Sequence, residues 1–292
     1  MSRQTSRGEA PITLVCEVFK VSRAAFYAAN KPISVLRPAP STPKESRGVP
    51  VADLLTAIEA IVAEHHAWGV RKVWATLRRR KLRVGCRRVW ALMKAKGYVL
   101  AGGQPRTPEP KRGQVVVPEP NRRIASDFTT VWTARDGRVA IAITVDCGCR
   151  SVLDVTVSKS QASPSMLGSI DRALTHAFGS PHAVPHGVEL RTDHGSVYTG
   201  ADAAAFAKRW GLEQTFAPVG RPTGNAVAER TIRTMKEECI WLEDWESIDA
   251  VQAALQRWQR SFNEDRPHQS LNWATPSEFR QARLGLRSQA AA

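Results

Sequence analysis

Apolar and polar positions recur along this chain with two different periods, and the change of period divides it. In "VADLLTAIEAIVAEHHAWGVRKVWATLRRRKLRVGCRRVWALMKAKG" the apolar residues stand three and four apart, the repeat of an amphipathic helix. Val73, Trp74 and Leu77, then Val89, Trp90 and Met93, supply the apolar faces, so the segment predicts three helices over about 51–65, 70–81 and 85–96, with both tryptophans assigned to the core. Upstream, "ITLVCEVFKVSRAAFYAA" reads as a short helix pair with Ser22 as a cap. It is either a helix-turn-helix remnant or a docking pair. From residue 123 the period shortens. "RIASDFTTVW", "RVAIAITVDC" and "RSVLDVTVS" are β-rich runs joined by short turns, which predicts an antiparallel meander. A helix at about 163–178 follows, then a strand in "GVELRTD", a helix in "GADAAAFAKRWG", a strand in "LEQTFAP", and helices at 225–238 and about 247–263. The sum is an α/β chain: a mixed sheet of three antiparallel strands plus two more, with helices on both faces, preceded by a small all-α module.

Proline, glycine and serine mark the joints. They divide the chain into a helical segment at 1–30, a linker at 31–50, the helical module at 51–100, a second linker at 101–120, the mixed-sheet unit at 121–283 and a flexible tail at 284–292.

Charge changes the reading of the module. The chain carries a net charge of +15 with a pI near 10.2, which points to a polyanionic partner. Between Glu64 and Glu109 there is no acidic residue, while the same interval holds Arg71, Lys72, Arg78, Arg79, Arg80, Lys81, Arg83, Arg87 and Arg88 among its cations. A solvated helix face normally mixes signs, because like charges on neighbouring turns repel. An acid-free run of this length is explained by phosphates across an interface, with Arg71, Lys72, Arg78, Arg79, Arg87 and Arg88 as DNA contacts. No apolar run approaches the ~20 residues of a membrane span. Five cysteines without a CxxC pair argue against a disulfide framework and for a reducing cytoplasm. His65-His66 lacks paired cysteines at zinc spacing.

The candidate chemistry rests on carboxylates. Asp127 sits inside an apolar strand, where an unpaired charge is costly unless it meets a cation. Asp193 ends a strand in "LRTDHGSVYTG", at the kind of strand end where α/β sheets place ligands, although an Asx turn before Gly195 accounts for it equally well. Asp146 and Asp154 compete, and Asp146 most simply caps the turn at Cys147-Gly148. The helix "NAVAERTIRTMKEE" separates its glutamates at about 100° per residue. Ala228, Ile232, Met235 and Cys239 form one stripe, Glu229 shares a bordering ridge with Asn225 and Lys236, and Glu237 and Glu238 read as surface charges. Lys236 and Arg233, with Asn225, would extend a phosphate-binding surface beside Glu229.

These residues resemble a known family. Asp127, Asp193 and Glu229, with "RTDHGSVYTG" and "GNAVAERTIRTMKEE" around the last two, are similar to the DDE core of retroviral integrases and insertion-sequence transposases. "WQRSFNEDRPHQSLNWATPSEF" and "WGVRKVWATLRRRKLRVGCRRVWALMKAKG" resemble the closing segment and helix-turn-helix module of bacterial transposases in the insertion-sequence family numbered three. The resemblance implies a ribonuclease H-like core in which Asp127, Asp193 and Glu229 are catalytic and hold Mg²⁺, with Mn²⁺ as a substitute and no zinc. It implies a bacterial, nucleoid-associated enzyme that nicks DNA 3′ ends and transfers strands. Its partners would be double-stranded DNA (terminal inverted repeats and target), further copies of itself in a synaptic complex, and the product of an upstream reading frame. Two rival functions remain: a non-catalytic DNA-binding derivative acting as repressor, and a structure-specific nuclease on the same fold.

Overall fold

A computed structural model describes residues 49–99, 117–217 and 225–290, with side chains to 285. The upstream helix pair and most of both linkers fall outside these residues. From Val49 onward the chain forms one compact unit.

The first three helices are α1 (Val51–Glu64), α2 (Val70–Arg79) and α3 (Cys86–Ala95). They bury Leu54, Ile58, Ile61, Val73, Leu77, Val89 and Met93 in a core of their own. At roughly 25 cal/mol per Å² of apolar surface, each such side chain contributes on the order of 1.5–3 kcal/mol. The tryptophans depart from expectation. Trp74 is half-buried, donates its indole N–H to Val84 O at 2.9 Å and meets Trp273 edge-on. Trp90 is 47% exposed, with the Lys94 ammonium 5.0 Å over its ring. Successive helical residues point about 100° apart, so Val89 and Trp90 do not share one face, and Val89 takes the buried place.

The sheet is built from β1 (Arg123–Thr133), β2 (Gly137–Asp146), β3 (Val152–Ser158), β4 (Glu189–Thr192) and β5 (Glu213–Phe216) in the order β3-β2-β1-β4-β5. Strands β1 to β3 pair antiparallel, and β4 joins β1, and β5 joins β4, in parallel. Helices α4 (Ser163–Phe178), the single turn α5 (Ser196–Thr199) and α6 (Ala201–Trp210) follow in chain order around β4. Helices α7 (Ala226–Glu238), α8 (Ile248–Glu264) and α9 (Pro276–Ala290) complete the unit. Strand β2 is buried on both faces: Ile141, Ile143 and Val145 pack with α7 and α8, while Ala140 and Ala142 meet Met166 of α4. That two-sided burial is why its sequence is a continuous apolar run rather than an alternation.

Two features of the chain were not foreseen. The turn after β2 holds Gly148 so close to the preceding segment that a Cβ there would stand 2.0 Å from Glu119 O. Helix α9 runs through residues 284–290, where the sequence reading placed a flexible tail. Its start carried a legible signal: Thr275 and Glu278 form a capping box, Glu278 N donating to Thr275 Oγ1 (3.3 Å) and Thr275 N to Glu278 Oε2 (2.9 Å). Pro276 occupies the first helical position. Among the described residues no helix is long and apolar enough to cross a membrane.

Candidate active site

The parallel pairing of β1 and β4 fixes the relation of two aspartates. The ladder runs from Arg123↔Glu189 to Ala125↔Arg191, and carried forward by two residues the same register brings Asp127 level with Asp193. Strand alternation sets the face. Ile124 and Leu190 pack on the α4/α6 side, whereas Ala125 packs with α7 and α8. Asp127 and Asp193 therefore share the α7 side of the sheet. Asp193 Oδ1 accepts the Gly195 N–H at 3.0 Å, so the Asx turn is present and occupies one oxygen of the carboxylate.

Helix α7 is tied to the sheet beside Asp127. Asn225, its first capping residue, donates Nδ2 to Ser126 O at 3.1 Å, and its own carbonyl accepts the Glu229 N–H. Ala228, Ile232 and Met235 bury the adjoining stripe. Glu229 lies on the exposed flank of the first turn. Burial, chiefly, with the negative charges of Asp193 and Glu229, pushes the Asp127 carboxyl up to about 6 against the opposing Phe128 N–H and Lys236 ammonium. Burial also raises Glu229. Asp193, Glu229 and Lys236 thus all stand near enough to act on the Asp127 carboxyl.

The three carboxylates do not form a closed cage: among the described residues, no three His, Cys, Asp or Glu side chains stand near enough to hold one metal ion. The donor set nonetheless fits a hard cation. It offers only oxygen ligands, and it holds a buried carboxylate under like charge, a local shortage of positive charge that a divalent ion would relieve. The competing carboxylates are engaged elsewhere. Asp146 is fully buried and accepts from the N–H groups of Asn121 (2.7 Å) and Gly148 (2.7 Å) and from Arg280 (3.0 Å). Asp154 is held by Arg172.

A stability prediction follows from Asp127. Its folded pKa of about 6 exceeds the unfolded value of 3.8, so the folded protein binds more protons between those two values. Stability then falls as pH rises through that window. In buffer free of divalent ions, Asp127→Asn should be more stable than the parent by roughly 1–3 kcal/mol above pH 7, at about 1.4 kcal/mol per pKa unit, with the gain fading toward pH 4. Urea titrations across that range check it; a gain that does not change with pH would refute it.

Several predicted DNA contacts are placed otherwise. Asn225 is buried and serves to pin α7 to β1, so it is not a surface contact. Lys72 lies largely inside, with its Nζ 2.8 Å from Glu238. Glu238, read as a surface charge, is one-tenth exposed and also accepts from Arg266 at 3.0 Å. Arg79 grips Glu278 with two bonds of 2.7 Å, and Arg88 donates to Val49 O at 3.0 Å. Arg78 stands over the Trp74 ring. Arg71 leans toward Gln269 at 3.4 Å, and Arg87 is exposed. Arg233 pairs with Glu237 at 2.8 Å on the exposed side of α7, and Lys236 stands near enough to Asp127 for its charge to be felt there. The interior role of Glu238 and Arg266 had no local signature in the sequence.

A five-stranded mixed sheet with helices on both faces and acidic residues gathered where the parallel pairing of β1 and β4 ends defines the class. Two family models described as "Integrase core domain" match residues 117–222 and 210–276, together more than half of the chain, and one described as "HTH-like domain" matches 50–103. The chain belongs to the integrase-core family. Over 285 residues it is 28% identical to the "Transposase InsD for insertion element IS2A/D/F/H/I/K" of Escherichia coli, covering 92% of this chain and 90% of that protein. The "Transposase InsD for insertion element IS2-9" of Escherichia coli strain K12 is also 28% identical, over 92% of this chain and 88% of its own length. Among solved structures, the chain is similar to one in a simian T-cell lymphotropic virus intasome (TM-score 0.48, 15% identity, 77% of this chain and 74% of that one). It is also similar to the HTLV-2 integrase catalytic core domain in complex with magnesium (TM-score 0.40, 14% identity, 56% and 97%).

Proposed function

We propose that this protein is an insertion-sequence transposase that nicks DNA 3′ ends and transfers the resulting strand into a target, with Asp127, Asp193 and Glu229 as its catalytic carboxylates. The observation that carries the reading is the register of β1 on β4, which sets Asp127 level with Asp193 on the face where Asn225 ties down the helix bearing Glu229. Asp127, Asp193 and Glu229 would hold Mg²⁺. Bound divalent ions supply Lewis-acid stabilisation of charge on a phosphate and make water a stronger nucleophile.

The remaining work belongs to the chain. The two strands hold the aspartates rigidly, which preserves the alignment of attacking and leaving oxygens. Glu229, on the exposed flank of α7, would complete the set of carboxylate ligands from the helix side. Lys236 binds a phosphate oxygen and offsets the added negative charge. With water as nucleophile, one P–O bond forms as the bond to the leaving 3′ oxygen breaks. With a DNA 3′-hydroxyl as nucleophile, the same exchange joins strands and needs no external energy source. Joining two element ends requires two active sites, so the working form is an oligomer of this chain on duplex DNA, with an upstream-frame product as a further partner.

The test is cleavage by the full chain of duplex DNA carrying the sequences that flank its gene, beside an RNA–DNA hybrid of the same sequence. Mg²⁺-dependent nicking of the duplex at the element ends is expected. Cleavage of the hybrid alone would instead mark a ribonuclease H-type enzyme. The open arrangement of the carboxylates favours one second reading, a non-catalytic DNA-binding derivative. Tight duplex binding with no cleavage in either Mg²⁺ or Mn²⁺ would support it.

A further inference from the structure

Between the helical module and the sheet unit lies a cleft of about 610 Å³ that plays no part in the carboxylate site. Four separate parts of the chain bring cations to it. Arg71 and Lys72 come from the start of α2, Arg150 from the turn before β3, Arg230 from α7 and Arg266 from the segment after α8. No carboxylate lines its walls. Lys72 and Arg266 share the single carboxylate of Glu238 behind it, so that trio still carries a net positive charge. Among the described residues Arg71 has only the long contact to the neutral Gln269. Among the described residues, Arg150 and Arg230 meet no carboxylate within ion-pair distance.

This concentration of charge is costly in a folded protein unless something compensates for it. Arg150 adopts a left-handed backbone conformation (φ 65°), and so does Trp273 (φ 67°), which also lines the cleft. A non-glycine residue held there costs of order 1 kcal/mol, and such strain clusters at binding sites. One turn of α7 also links the cleft to the proposed chemistry: Glu229 flanks the aspartates, and its neighbour Arg230 lines the cleft. An occupant of the cleft would therefore lie along the same helix as the reacting phosphate.

We infer that this cleft is a phosphate clamp for the DNA backbone, in which Arg71, Arg150 and Arg230 grip the strand between the helical module and the carboxylate site. Multiple guanidinium groups suit phosphodiester oxygens, which they bind in a planar, bidentate fashion. The cleft's volume accommodates a nucleotide-sized stretch of backbone, and Trp273 gives its rim an aromatic edge. The clamp rests on the reading of the chain as a DNA-acting protein, but not on catalysis.

Its test is binding of a fluorescent duplex oligonucleotide to the full chain in EDTA, where no cleavage occurs, measured over a range of salt. Each phosphate contact adds about 0.9 to the slope of log affinity against log salt. Arg150→Gln with Arg230→Gln should lower affinity tenfold or more near 0.1 M salt and flatten the slope by about two. Arg230→Gln alone, on an exposed helix position that tolerates the change, should give about half the change in slope. The control Arg138→Ala with Lys208→Ala removes the same charge from exposed positions outside the cleft, and should leave the slope nearly unchanged. Equal losses in both double variants would mean that only net charge matters and would overturn the clamp. Competition by millimolar inorganic phosphate, as effective as unlabelled duplex, would overturn it in favour of a free-anion site. A protein that shows the expected slopes yet never nicks DNA would keep the clamp and lose the transposase reading. Normal nicking with unaltered slopes would do the reverse.

Discussion

Asp193→Asn and Glu229→Gln should each lower Mg²⁺-dependent nicking by at least about a thousandfold, equivalent to roughly 4 kcal/mol of barrier, while duplex binding in EDTA stays within about twofold. Each substitution keeps the side-chain shape and removes one negative ligand from a set of three. Metal-assisted phosphoryl chemistry draws several kcal/mol from the cations such ligands hold. The proposed DNA contacts lie elsewhere: Lys236 farther along α7, and the arginines of the cleft. Single-turnover nicking and fluorescence binding on the same preparations separate the two effects. Nicking at the parental rate in Asp193→Asn would remove that residue from the mechanism. A parallel loss of binding would show that the site's architecture, rather than its ligands, had been broken.

Glu238→Ala should destabilise the protein by about 3–5 kcal/mol, the range expected when one partner of a buried ion pair is removed. Glu238 lies one-tenth exposed between Lys72 (2.8 Å) and Arg266 (3.0 Å). Without its carboxylate two cations face each other inside the protein, and burial and Arg266 already hold the Lys72 ammonium below its ordinary pKa. Lys72→Met leaves the Glu238–Arg266 pair intact, so its cost should be clearly smaller. Urea denaturation of the three proteins tests this ordering, and hydrogen exchange in α1 to α3 tests where the damage falls. Because Lys72 belongs to the module and Glu238 to α7, exchange there should rise first. If Lys72→Met proved as damaging as Glu238→Ala, packing rather than charge would be holding the two parts together.

Glu238 also shows what could be read in advance and what could not. On the helical wheel it borders the apolar stripe on the flank opposite Glu229, and for an isolated helix such a position reads as a surface charge. The wheel knows nothing of a second unit bringing Lys72 to that flank. The acid-free run from residue 65 to 108 misled in the same way. The run has no acids of its own, but Glu238 and Glu278 stand 166 and 199 residues from the lysine and arginine they neutralise. Part of that basic charge is therefore neutralised by the chain's own carboxylates, and fewer cations than expected are left for DNA. Asn225 was placed on the right ridge, yet the ridge is pressed against β1 at that point and the amide is consumed by a backbone carbonyl.

Periodicity belongs to single elements, so the sequence by itself determined the order and kind of nearly all of them: three helices with a core of their own, a three-strand meander, and two later strands alternating with helices. It also pointed to Asp127 and Glu229, because a carboxylate in an apolar strand or beside an apolar stripe is anomalous wherever the chain folds, whereas Asp193 joined them only through the motif that resembles the family's. Only the tertiary structure decided the register that levels Asp127 with Asp193, which arginines turn inward, and where unmatched positive charge collects. Those depend on contacts between residues tens to hundreds of positions apart, where electrostatic partners are chosen by proximity in space and no local pattern records the choice.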